Sequence, residues 1–188
     1  MKFQNFTYVK ELVFGVAPVA VYFLTAVLAA TPATANSGYG KDLGHDNKSV
    51  RAQLALLEKA VAPFASYDVA QAAGWNATIS PCIESPNGGM GYHVANMKAL
   101  DAAPFELSLL RPEVLLYAPM DDGSMEFLGV EYIVPYDEVF AASAPTFLGQ
   151  ELQFNEHQNI WALHVWIERH NPSGIFAPFN PDVSCPQE

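Results

Sequence analysis

"EVLLYAPMDDGSMEFLGVEYIVP", residues 113–135, reads as two strands joined by a tight turn. Runs dense in valine, leucine, tyrosine and phenylalanine flank Asp121–Ser124, and a D-G dipeptide between apolar runs is a hairpin signal. So short a connection makes the pair antiparallel. Two other segments have the same texture: "MGYHVAN" at 90–96 and "IWALHVWIER" at 160–169. The expected sheet is therefore antiparallel, with about four strands.

Upstream the periodicity is helical. Val50, Leu54, Leu57 and Val61 recur at spacings of 3 and 4, with Arg51, Glu58 and Lys59 off that stripe. Asp46 or Asn47 is placed to cap the start, and Pro63 ends the helix or opens a second through Ala65 to Ala73, closed by Gly74. "SPCIESPNGG", 80–89, is rich in proline, serine and glycine and reads as a loop. Residues 136–159 read as irregular, and the proline-rich segment 170–188 as neither helix nor central strand. The expected class is α+β: N-terminal helices on one face of the sheet, long loops over the other.

Residues 1–35 have the pattern of a signal peptide. Lys2 and Lys10 precede an apolar run from Leu12 to Ala30, and Ala33-Thr34-Ala35 is an A-x-A cleavage signal. The run is long, so an uncleaved membrane anchor is the rival reading; Gly15 and Pro18 inside it favour cleavage. Residues 36–188 then form a single domain, secreted or periplasmic. The net charge of −11 repels phosphate and excludes nucleic acid as a partner. In an exported chain the two cysteines, Cys82 and Cys185, read as a disulfide between two turns.

Strand parity singles out three residues. Side chains alternate across a strand. In 160–169, Trp161, Leu163, Val165 and Ile167 oppose Ala162, His164, Trp166 and Glu168. In 125–135, Leu128, Val130, Tyr132 and Val134 oppose Phe127, Gly129, Glu131 and Ile133. In 90–96, Tyr92 and Val94 oppose Gly91, His93 and Ala95. The cleanly apolar sets, with Tyr92, Val130, Leu163 and Val165, are expected to meet Leu54 and Leu57 of the helix. Each opposite set carries a titratable residue within its apolar run: His93, Glu131 and His164, with Glu168 at the end of the last. Gly91, Ala95, Gly129 and Ala162 leave room around them, and the loops 136–159 and 170–188 can roof that face.

Two imidazoles and a carboxylate suit a divalent ion such as zinc, iron or copper, with His157 or His170 as a further loop-borne ligand. The same residues also suit a hydrogen-bond network without metal. No compact H-E-x-x-H spacing decides between the two. "SPNGGMG" lacks the strand and the lysine of a phosphate loop, the serines lack a G-x-S-x-G context, and the methionines form no repeat.

"SPCIESPNGGMGYHVAN", "RPEVLLYAP", "LGVEYIVP", "PTFLGQ" and "LHVWIERHNPSGIFAPFNPDVSC" resemble a widespread group of exported bacterial proteins of uncharacterised function. The resemblance spans roughly residues 50 to 185. It implies no activity. Its pattern includes the histidine of "GMGYH", the glutamate of "GVEY" and the histidine of "LHVW", the residues that parity selects.

Three functional classes follow. The first is an exported domain with a ligand or metal pocket on His93, Glu131 and His164, taking an unknown small molecule or protein. The second is a non-catalytic extracytoplasmic interaction module in which the triad is structural and Phe176 and Phe179 bind a partner. The third is a hydrolase or oxygenase using the metal. A membrane is a partner only if the leader stays attached.

Overall fold

The computed structural model describes residues 43–102, 107–136 and 144–186. The leader and its cleavage signal lie outside the described residues. Among those described, no helix is long and apolar enough to cross a membrane.

Helix α1 runs Leu43–Val61, a 3-10 turn Ala62–Ala65 follows, and α2 is Tyr67–Ala72. Strands β1 (Ala77–Ser85) and β2 (Gly88–Ala95) precede the short α3 (Met97–Leu100); then come β3 (Val114–Pro119) and β4 (Met125–Pro135). The small strands β5 (Thr146–Phe147), β6 (Gln150–Glu151) and β7 (Gln153–Asn155) lead to β8 (Ile160–Val165). The main sheet has six strands in the order β1-β2-β3-β4-β8-β7, and every pairing is antiparallel. β5 and β6 form a separate hairpin. Its turn residues Leu148 and Gly149 both have positive φ, the geometry whose twist matches paired strands.

The α+β expectation of helices layered on about four strands is thus overturned. The molecule is organised by a six-stranded antiparallel sheet and a second small one, and its helices are few. Two strands were hidden by their composition. β1 occupies the segment expected to be a loop, and Cys82 lies within it rather than in a turn. Pro81 falls where the β1–β2 register skips, between Ser80↔His93 and Ile83↔Gly91. β1 is an edge strand with a bulge, which is where a sheet accepts a residue without an N–H. β7, at the other edge, is too short to show an alternation. Two smaller corrections concern the helices. Asp46 and Asn47 lie inside α1 rather than capping it. The second helix starts at Tyr67 behind a Ser66 cap, whose hydroxyl accepts from the Val69 amide.

Both faces of the sheet are apolar. Val94, Leu115, Tyr117, Val130, Tyr132, Leu163 and Val165 cluster with Leu57, Val61 and Ala70. Leu54 packs at the edge of this cluster, while Tyr92 is half-buried outside it. On the other face Val114, Leu116, Leu128, Ile133, Trp166 and Val183 form a second cluster. A bulge between Leu116↔Gly129 and Tyr117↔Phe127 reverses the alternation near the start of β4. Phe127 consequently joins the first cluster and Leu128 the second, opposite to simple parity. Leu163, almost fully buried in the first cluster, should cost about 2–5 kcal/mol of stability when changed to alanine. Urea denaturation checks this, and a loss under about half a kcal/mol would contradict the packing.

The tail closes the second face. Gly89 donates to the Asn180 and Val183 carbonyls and accepts from the Asn180 amide. A Cβ at Gly88 would lie 2.0 Å from the Asn180 carbonyl oxygen, so only glycine lets the tail approach. Cys185 is bonded to Cys82, as expected from an even pair of cysteines.

Candidate metal centre

Register alone brings two of the three parity residues side by side: Glu131 on β4 pairs directly with His164 on β8. His93 on β2 lies beyond β3, opposite Leu116, so its long imidazole must reach across one strand. It does. His93 Nε2 lies 3.4 Å from His164 Nε2 and 3.7 Å from Glu131 Oε2, while His164 Nε2 lies 3.6 Å from Glu131 Oε1. The rings stand almost perpendicular, at 86°. One donor atom from each residue can be chosen so that all lie within 4.8 Å of one another, and all three residues are buried.

The small neighbours act differently from the expectation that they clear space. Gly91 has φ of +81°, and a Cβ there would lie 2.5 Å from the Tyr117 carbonyl oxygen. A Cβ at Gly129 would lie 2.3 Å from the Val165 carbonyl oxygen. Both glycines permit close backbone approach under the site. Ala95 is buried in the second cluster, and only Ala162 lines the pocket.

Ser80 orients His93, a role the sequence reading missed. Its hydroxyl donates to the Pro81 carbonyl at 3.1 Å, and that carbonyl can only accept. Ser80 Oγ, 2.8 Å from His93 Nδ1, is then the acceptor for an Nδ1–H. A proton on Nδ1 leaves the Nε2 lone pair facing Glu131 and His164. No local motif marked Ser80; it pairs with His93 only because β1 is a strand.

Burial governs the charges. It holds His93 down at about 4, partly offset by a hydrogen bond with the Gly91 backbone. It holds His164 down at about 3, with the neighbouring His93 adding to the effect. Burial pushes Glu131 up to about 8, helped by Glu113, itself raised to about 7 chiefly by burial. Glu113, whose Oε2 accepts from the Ile133 amide, is a second buried carboxyl that strand parity did not flag. At neutral pH and without an ion, the imidazoles are neutral and Glu131 holds its proton.

All three residues line a pocket of about 430 Å³. Ser80, Ile83 and Met90 contribute from β1 and β2, and Ile133 from β4. Residues 153–158 and Pro178–Phe179 come from the two segments expected to roof this face. His157 lines the pocket but stands outside the group of potential metal ligands, and His170 belongs to neither. Phe176 is partly buried against the first cluster, and Phe179 lines the pocket.

The arrangement could hold a divalent ion between two imidazoles and a carboxylate. No protein-family model, curated protein or solved structure matches the chain.

Proposed function

We propose that this protein is an exported domain that binds one divalent metal ion through His93 Nε2, His164 Nε2 and the Glu131 carboxylate. The observation that carries the reading is the set of separations, 3.4, 3.6 and 3.7 Å. A network built for hydrogen bonding would bring N and O atoms to about 2.7–3.2 Å. Donors about 2.0–2.1 Å from a tetrahedral ion stand about 3.3–3.4 Å apart. The two imidazole nitrogens stand at the second spacing, and each faces a different oxygen of Glu131 across a gap too wide for the first. The two imidazoles need lose no proton to bind, and Glu131 exchanges its proton for the ion. Three protein ligands leave a position for water or a small molecule, the pattern of sites that activate or bind a ligand.

Export is supported by the leader's pattern and by the disulfide, which favours an oxidising compartment. The resemblance to exported bacterial proteins points the same way. Elemental analysis of tag-free protein tests the metal reading: about one equivalent of zinc, iron or copper is expected. If the metal-free protein takes up none of these ions on titration, the triad is a structural network and the interaction-module reading replaces this one.

Ser80→Ala should lower metal affinity by about 10- to 100-fold without unfolding the protein, the usual effect of removing a partner that orients a ligand. Competition with a chromophoric chelator measures the affinity. Imidazole nitrogen shifts of the metal-free variant should show His93 gaining Nε2–H. Unchanged affinity and an unchanged tautomer would remove Ser80 from this role.

A further inference from the structure

The ion's open position and the walls around it specify a ligand class; this inference rests on the metal reading above. The three donors sit in the wall of the pocket, so a fourth ligand enters from that pocket. Around it the walls are largely apolar: Ile79, Ile83, Met90, Ile133 and Phe179. Ile79 and Phe154 line the pocket while being about 40 % exposed, so part of this apolar surface faces solvent. Among the described residues no lysine or arginine lines the pocket, and the one carboxylate besides Glu131 is Glu156. The rest of the polar wall is the Ser80 hydroxyl, the His157 imidazole and the amides of Gln153, Asn155 and Gln158.

These features set the charge of what can bind. One divalent ion balanced by one ionised Glu131 leaves a single positive charge at the head of the pocket. Apart from the His157 imidazole, a ligand's anionic group has no lysine or arginine in the wall to meet. A second negative charge would face Glu156 and a chain of net charge −11. Apolar walls favour an apolar body, and the amides accommodate hydroxyl or amide groups on it.

We propose that the pocket takes a compact organic molecule with one coordinating head, a monocarboxylate or a group of like charge, and an otherwise uncharged, mainly apolar body. Phosphate esters and dicarboxylates are selected against. The volume suits a molecule of about ten to twenty heavy atoms, in the size range of small-ligand sites.

The test uses the disulfide-intact protein loaded with Co²⁺, whose visible absorption reports a change of ligand. Acetate, hexanoate, succinate and inorganic phosphate are titrated in turn. Each buried methylene adds up to about fourfold in affinity, so hexanoate should bind at least about tenfold more tightly than acetate. Succinate and phosphate should bind no more tightly than acetate. Ile83→Ser should reduce the hexanoate preference while leaving cobalt uptake unchanged. Equal affinities for acetate and hexanoate would overturn the proposal, as would phosphate or succinate binding tightest. Cobalt retained with no response to any of the four overturns it too, while the metal reading stands. Cobalt not retained at all overturns the metal reading, and this proposal with it.

Discussion

Glu131→Gln should abolish metal retention, lowering affinity by more than about a hundredfold, beyond the loss typical of an outer hydrogen-bond partner. The metal-free fold should survive. Glutamine has the shape of the protonated carboxyl that burial already imposes on Glu131. The pH dependence separates the two effects. An unfolded glutamate releases its proton near 4.5, whereas folded Glu131 keeps its proton to about 8. The unfolded state therefore binds fewer protons between those values, and the metal-free wild type loses stability as pH rises through about 8. The histidines act in the opposite sense at lower pH. They are neutral in the fold and protonated when unfolded, so their contribution grows from about pH 3–4 and is complete above 6.5. Above pH 6.5 only the carboxyls remain, and Glu113 is common to both proteins. Thermal unfolding of the metal-free proteins between pH 6.5 and 8.5 should thus show a steeper loss in wild type than in Glu131→Gln. Metal should reverse the slope in wild type, because the ion requires the carboxylate. Equal metal uptake by the variant would remove Glu131 from the ligand set.

Reducing the Cys82–Cys185 bond, or changing both cysteines to serine, should cost up to about 4–5 kcal/mol, the chain-entropy value for a closed loop of this length. Denaturation with and without reductant measures the loss, and thiol titration of the unfolded, unreduced protein should find none free. The effect should reach the pocket. The tail held by this bond carries Val183 into the second cluster and Pro178 and Phe179 into the pocket wall. A loss below about 1 kcal/mol would mean that the backbone bonds of Gly89 to Asn180 and Val183 hold the tail without the covalent link.

Much of the central sheet was legible. The hairpin around Gly123, the extent of β4 and the core position of Leu163 follow from turn chemistry and alternation. Parity also placed Glu131 and His164 on one face, since direct cross-strand partners share a face. It failed at Phe127 and Leu128, where a bulge inserts one residue and reverses the alternation. It failed again at Gly91 and Gly129, where the missing side chain makes room for backbone rather than for ligand.

By itself the sequence determined what is local: strand-forming alternation, a D-G turn, the helical stripe of α1, an even pair of cysteines, and the titratable residues His93, Glu131 and His164 on the less apolar set of three strands. Those depend on neighbours a few residues away, where side-chain periodicity is a direct record of burial. Only the tertiary structure decided that a proline-bearing segment is an edge strand, that the sheet has six strands, and that Ser80 reaches His93 across it. The reason is that edge pairing and register are set by partners distant in the chain. The β1–β2 bulge accommodates Pro81, and the tail bridged to Cys82 closes over the sheet. The 3.4 Å approach of His93 and His164, 71 residues apart, exists only when β2, β3, β4 and β8 are laid side by side in that order.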